Sequence, residues 1–294
     1  MARILVIGAV ALDRPIWLNR PLYSGGRAYG RSKSGSLEGR LGGGGANAGC
    51  ALHAAGHQVV VAAILANDAD GVQASRLAEA AGLDLSLTTT RPGTSSRTLI
   101  LIDPAGERTI IGIDGLLRDE ETPRPSIALP SSDGDFHPCG LFIRTAYDGA
   151  AEWAAVVRGP VLLHWPAPHF DGEADVVVAS ADDLTPEVAA SPYEIARAQL
   201  GPQLTWVVVT HGANGAVAHG PDRRISAPVP RREARDTTGA GDIFAAGLLD
   251  ALIAGAPMEQ ALEHACRWGG AAVLVEGSAP DNAPKGTFRA FSAA

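Results

Sequence analysis

Short apolar runs alternate along this chain with longer stretches whose apolar positions return every three to four residues. The segments Arg3 to Gly8, Val59 to Leu65, Leu141 to Arg144, Val161 to His164, Asp175 to Ala179 and Trp206 to Thr210 have the length and β-branched content of buried strands. Helical spacing is expected from about Asn47 to Gly56 and from about Gly71 to Ala81. That alternation specifies a parallel sheet with crossover helices, and ligands on such sheets gather beyond the carboxyl ends of the strands. Two stretches break the rhythm. Residues Arg14 to Arg40 are rich in Gly, Ser and Arg, and the runs Arg97 to Asp103 and Glu107 to Ile113 flank a Pro104-Ala105-Gly106 turn in the manner of a hairpin. Residues Glu120 to Phe136, dense in Pro, Ser and Asp, read as a connector.

Two helices open on glycine. Asp236 to Gly247 reads Asp-Thr-Thr-Gly-Ala-Gly-Asp-Ile-Phe-Ala-Ala-Gly, and Ile243, Phe244, Leu248, Ala251 and Leu252 recur at helical spacing, so the helix begins near Gly239 or Ala240. Its first-turn amides have no intrahelical acceptor, and Gly239 and Gly241 let an oxyanion approach them closely. Asp242 rides on the same turn. A carboxylate facing an anion hole suits a group that takes a proton from an attacking hydroxyl while amides absorb the charge of a transferring phosphoryl group. Taken alone, Gly-x-Gly-Asp is equally a tight strand-to-helix turn. The second cluster, Leu41-Gly42-Gly43-Gly44-Gly45-Ala46-Asn47-Ala48, makes the coincidence harder to dismiss. No Gly-Lys-Ser/Thr sequence is present, which excludes a standard P-loop, and Gly8-Ala9-Val10-Ala11 lacks the later glycines of a dinucleotide fingerprint.

The chain of 294 residues, 46% of them apolar, is long enough for a sizeable core. A formal net charge of −8 argues against a general binder of nucleic acid or of an anionic membrane. Cys50, Cys139 and Cys266 are widely spaced and odd in number, as expected of thiols in a reducing compartment, and Ile4 to Ile7 is too short for a membrane span. A cytoplasmic location is the expectation. The eight histidines offer neither a helical metal pair nor a partner for a nucleophilic serine, so they read as structural.

With both glycine segments in order, the sequence resembles the ribokinase/PfkB family of carbohydrate kinases, whose signatures are Gly-Gly-x-Gly-x-Asn near the N-terminus and Asp-Thr-x-Gly-x-Gly-Asp near the C-terminus. Asn67 to Gly71, Gly106-Glu107-Arg108, Trp165 to Pro168 and Val208 to Gly215 fall where that family has counterparts. The resemblance implies a three-layer α/β/α sandwich with a mainly parallel central sheet and a small β lid. The core would comprise residues 1–13, 41–96 and 114–294, and the lid residues 14–40 and 97–113. It implies ATP and Mg2+ as cofactors, with Asp242 as base and Gly239, Ala240 and Gly241 as the anion hole. Asp13, in a loop after the first strand, would bind the acceptor with Gly43, Gly44, Gly45 and Asn47. Thr210, Gly212, Gly215, Thr237, Thr238 and Gly241 would line the nucleotide. Where the family carries Asn-x-x-Glu for magnesium placement, this chain has Ser180-Ala181-Asp182-Asp183, which leaves Asp183 as a shorter carboxylate for Mg2+. The family's monovalent-cation site, for K+, uses carbonyls around the positions of Asp236 and Thr238.

These residues point to ATP-dependent phosphorylation of a hydroxyl on a small sugar or sugar derivative. A nucleoside kinase of the adenosine type, a phosphosugar or sugar-acid kinase, and a catalytically lapsed sugar- or nucleotide-binding regulator stay open. Arg14, Arg20, Arg27, Arg31, Lys33 and Arg40 face the single acid Glu38 within an acidic chain, and Arg144 stands at a strand end where sugar-specific relatives often supply an acid. Those arginines favour a charged acceptor, although solvated lid arginines and a neutral acceptor are the first expectation. Pairing of two copies through the lid fits the resemblance as well.

Overall fold

A computed structural model describes residues 1–32, 38–105, 108–113, 126–130, 136–230, 234–275, 277 and 286–292. In chain order its strands are β1 (Arg3–Ile7), β2 (Ala11–Leu18), β3 (Gly30–Arg31), β4 (Arg40–Gly42), β5 (Gln58–Ala62), β6 (Ile64–Ala66), β7 (Thr89–Arg91), β8 (Arg97–Ile102), β9 (Arg108–Ile113), β10 (Gly140–Ile143), β11 (Val161–His164), β12 (Val176–Ser180), β13 (Trp206–Thr210), β14 (Ala216–His219) and β15 (Arg224–Ala227). The helices are α1 (Gly44–Ala54), α2 (Ala69–Ala80), α3 (Ala150–Val156), α4 (Pro186–Ala190), α5 (Pro192–Leu200), α6 (Ala240–Ile253) and α7 (Met258–Ala272).

The central sheet has the order β15-β14-β13-β12-β11-β10-β1-β5, parallel from β13 through β5, with β14 and β15 antiparallel at one edge. Period-two alternation divides β1 between two cores. Ile4 and Val6 pack with Leu248, Leu249 and Leu262 on the side of α1, α6 and α7, whereas Leu5 and Ile7 pack with Trp153, Tyr193 and Leu200 on the side of α3 and α5. Apolar residues on both faces are what a buried parallel sheet requires, and the result is the expected three-layer α/β/α sandwich.

Over one end lies a smaller, five-stranded sheet, the lid, with β3, β2, β8 and β9 in order and β4 also paired to β2. The hairpin expected from Arg97 onward is β8 and β9, antiparallel from Arg97↔Ile113 to Ile102↔Arg108. Two local expectations change. The apolar run Val59 to Leu65 is two strands, because the chain leaves the central sheet at Ala63, whose amide donates to Thr88 Oγ1 (3.2 Å) and whose carbonyl accepts from Thr89 (2.9 Å). Asp13 does not lie in a loop: it is a residue of β2, in register with Arg40 and Thr98. Gly106, Glu107, Lys33 and most of the 120–136 connector fall outside the described residues.

Candidate active site

Four adjacent parallel strands end side by side at the carboxyl edge of the sheet. Arg144 follows β10, and His164, Ser180 and Thr210 are the last residues of β11, β12 and β13, with Ser180 and Thr210 in register. The entrances of α1 and α6 converge on the same edge.

Each entrance is shaped by a glycine with a left-handed backbone. Gly43, at φ 90°, precedes α1, and a Cβ there would stand 2.5 Å from the Ala9 carbonyl oxygen. Gly239, at φ 76° and ψ 0°, precedes α6. L-residues rarely adopt that geometry, which is why glycine marks both turns. Behind Gly239, the Ala240 amide turns back to the Thr237 carbonyl (3.3 Å), so its N–H is not free for an anion. The amides of Gly241 and Asp242 meet no acceptor among the described residues. A Cβ at Gly241 would meet no atom of the described residues within 4 Å, so packing among them does not demand glycine there. Unpaired amides at a helix N-terminus behind open space fit a phosphate.

Asp242 joins the two entrances. Asn47 Nδ2 donates to Asp242 Oδ2 at 2.7 Å, and Arg144 Nε donates to Oδ1 at 2.6 Å. Because a carboxylate can only accept, the first bond fixes the amide's orientation and leaves Asn47 Oδ1 as the other end. That oxygen is buried and has no partner among the described residues. Buried amide oxygens are ordinarily hydrogen-bonded, so Oδ1 is suited to a hydroxyl brought by a ligand. Gly44 makes the arrangement possible: a Cβ on it would stand 2.6 Å from Arg144 Cγ and 3.0 Å from Asp242 Oδ1. Gly45 donates its amide to the Ala9 carbonyl (2.9 Å), closing α1 against the loop after β1. Asp13 is buried beneath β4, where a Cβ at Gly42 would run into its carboxylate at 2.3 Å.

His164 belongs to this cluster and was not expected there. Burial first, and the Arg144 charge second, push its pKa down to about 4, against the opposing pull of Asp242 and Asp183. The imidazole is therefore neutral at physiological pH, a half-buried ring within reach of the carboxylate and guanidinium charges. Its position ending a parallel strand, one residue past the Ile143↔Leu163 pair that leads to Arg144, was the available signal.

Asp183 ends a single 3-10 turn, Ala181–Asp183, after β12, and is exposed. Its charge reaches His164. No group of three or more His, Cys, Asp or Glu that could hold a metal ion occurs among the described residues. One exposed carboxylate fits magnesium held chiefly by phosphates and water. Thr210 ends β13 with its hydroxyl on the Ala179 carbonyl (3.3 Å), and Gly212 and Gly215 bound the 3-10 turn that follows.

Asp236 is buried under the lid. Its Oδ1 accepts from the Thr238 amide (2.9 Å) and forms an ion pair with Arg108 Nη2 (3.1 Å), and its Oδ2 accepts from Arg40 Nη2 (3.1 Å) and the Gly277 amide (3.2 Å). Burial alone would raise its pKa; the Thr238 hydrogen bonds and the two guanidinium groups outweigh it and hold the carboxyl below the usual range. Arg108 also donates to the Thr237 hydroxyl. Among the described residues two guanidinium groups face this one carboxylate.

Residues 172–285, which contain the Thr210 to Gly215 and Asp236 to Asp242 segments, match the model of the pfkB family carbohydrate kinases. The chain is 30% identical over 277 residues, 90% of each sequence, to a protein of Halopiger xanaduensis named ATP-dependent ribose-1-phosphate kinase. Its fold is similar to ribokinase from Thermotoga maritima, with a TM-score of 0.74, 18% identity and 98% of each chain covered. It is similar also to Arabidopsis thaliana ribokinase complexed with ribose and ATP, with a TM-score of 0.70, 18% identity and 95% of each chain covered. The chain belongs to the pfkB family of carbohydrate kinases. No helix among the described residues is long and apolar enough to cross a membrane.

Proposed function

We propose that the protein is an ATP-dependent kinase that phosphorylates a hydroxyl of a phosphorylated pentose, with ribose 1-phosphate as the acceptor of first choice. The observation that carries the reading is the Asn47–Asp242–Arg144 constellation. An aspartate stands at a helix entrance with unpaired amides, a buried amide oxygen beside it lacks a partner, and a cation shares the carboxylate. A neutral sugar needs no arginine beside the base. A guanidinium there suits a phosphorylated one, and the Halopiger relative's name supplies the sugar class.

Bound ATP and magnesium would supply the phosphoryl group and screen its charge, with Asp183 offering a carboxylate for the metal and Thr210, Gly212, Gly215, Thr237 and Thr238 around the nucleotide. Asp242 would take the proton of the acceptor hydroxyl, and Asn47 would orient both, donating to the carboxylate and accepting from the acceptor through Oδ1. The amides of Gly241 and Asp242 would face the charge that develops in transfer. Asp13 and the Gly43 to Gly45 turn would hold the remaining hydroxyls under the lid, whose closure excludes water. Because phosphoryl transfer asks little of the base, most of the acceleration would come from position and electrostatics.

A coupled ATP-turnover assay on ribose 1-phosphate, ribose, adenosine and ribonate tests the reading. Turnover should be highest with ribose 1-phosphate. Turnover on ribose or adenosine in preference to it would move the assignment to a neutral acceptor, and absence of turnover on every hydroxylated compound would return the regulator reading.

A further inference from the structure

We propose that Arg144 is the residue that selects an anionic acceptor, its two terminal guanidinium nitrogens gripping a phosphate monoester on the sugar while its Nε stays on Asp242. The proposal rests on the kinase reading above and adds the means by which that site recognises charge. The arginines of the lid are largely committed elsewhere. Arg14 and Arg97 pair with Asp70 at 2.8 and 2.9 Å, and Arg40 and Arg108 pair with Asp236. Arg31 pairs in register with Trp17, four residues along β2 from Asp13, which at a strand rise of about 3.3 Å per residue is some ~13 Å away. Arg144 differs in position and in valence. It is bound to the Asp242 carboxylate through Nε alone, and Nη1 and Nη2 have no partner among the described residues. The side chain is 33% exposed, so its tip reaches solvent while its stem is packed.

The surroundings are built for that tip. Gly8 and Gly44 leave the volume the stem occupies, since a Cβ at either would stand within 3.0 Å of Arg144. His164, whose charge couples to that of Arg144, is uncharged at neutral pH, so of these two it is Arg144 that provides the positive charge at this point. A guanidinium with two parallel N–H groups free matches the oxygens of a phosphate, and a phosphate held there lies one arginine's width from the base. Recognition and chemistry are thereby coupled, because the group that holds the phosphate also orients Asp242.

The experiment measures kcat and KM for ribose 1-phosphate and for ribose with the wild type, Arg144→Gln and Arg144→Lys. Thermal protection by ribose 1-phosphate without nucleotide is recorded alongside, and protection by ATP reports that each variant is folded. Loss of a charge-assisted pair should raise the KM for ribose 1-phosphate by about 10- to 100-fold in the Gln variant, with the Lys variant between, while any turnover of ribose falls less. Protection by ribose 1-phosphate should weaken in the same order. Should Arg144→Gln prove unfolded, Arg144→Lys keeps the charge without the fork and must still raise the KM. An equal fall in kcat for both acceptors with an unchanged KM for ribose 1-phosphate would overturn the proposal and leave Arg144 as a positioning residue for Asp242. A wild type that uses ribose but not ribose 1-phosphate would instead overturn the proposed acceptor, and the role of Arg144 with it.

Discussion

Asp242 has both carboxylate oxygens engaged, one by Asn47 and one by Arg144, so its geometry is set before any substrate arrives. Asp242→Asn keeps the size of the side chain and removes its capacity to take a proton. Turnover should fall by about 10²- to 10⁴-fold with ATP protection retained, and near-normal turnover would sink the assignment of the base. Gly241 allows fold and function to be separated. A Cβ there meets open space and the backbone is ordinary, so Gly241→Ala should leave the protein as stable as before or up to about 1 kcal/mol more stable, as expected for Gly to Ala in a helix. If the amide faces phosphate, thermal protection by ATP should nevertheless weaken, and more so in the bulkier Gly241→Val. Undiminished ATP protection in both variants would remove the turn from the nucleotide site.

At the scale of elements, most of the sheet was legible because buried parallel strands are uninterrupted apolar runs: Val161–His164 and Trp206–Thr210 were read with their observed bounds. The entrance of α6 was legible because Gly239 and the apolar spacing from Ile243 coincide. What could not be read depends on partners far along the chain. The division at Ala63 is made by Thr88 and Thr89, and no polar residue in the run marks it, since both resulting strands are buried. Asp13 was read as a loop residue because nothing in the Gly8 to Asp13 segment signals that Ala11 begins a strand of another sheet. His164 entered the site through strand alignment, which residue counts do not give. The basic residues of the lid looked like a field for a charged acceptor, yet Arg40 and Arg108 converge from β4 and β9 on Asp236. That convergence predicts indifference to the monovalent cation. Turnover and thermal midpoint should be the same in potassium, sodium and lithium chlorides at equal ionic strength, and Arg40→Ala with Arg108→Ala should confer a potassium response by baring Asp236. Marked activation of the wild type by potassium would show that the guanidinium groups do not take the cation's place.

Across the whole molecule, the layer of α1, α6 and α7 is tied together by one buried carboxylate remote from the chemistry. Asp250 of α6 accepts from His57 Nε2 (2.7 Å), His264 Nε2 of α7 (2.8 Å) and the Phe291 amide (2.7 Å). The Ala2 amide donates to His57 Nδ1 (3.3 Å) and Arg267 to His264 Nδ1 (3.1 Å), which fixes each ring proton on the nitrogen facing Asp250. Five parts of the chain, from the N-terminal residues to Phe291, thus meet at Asp250. Burial would raise its pKa, but the hydrogen bonds from His264, His57 and Phe291 overcome that and lower it from 3.8 to about 2. A carboxyl whose folded pKa lies below its unfolded value contributes stability that is complete above the unfolded pKa and is lost as pH falls through the folded one. For a depression of this size the contribution is about 2 kcal/mol, present at neutral pH and disappearing between about pH 4 and pH 2. Asp68 and Asp236, also lowered, act in the same direction, so the wild type alone cannot isolate Asp250. Urea unfolding of the wild type and of Asp250→Asn from pH 7 down to pH 3 does. The variant should be less stable at pH 7, and the gap should narrow on acidification below about pH 4, because protonation of Asp250 in the wild type removes what the substitution has already removed. A gap that stays constant over that range would mean that Asp250 contributes through packing alone, and that the acid sensitivity of the protein lies in its other carboxylates.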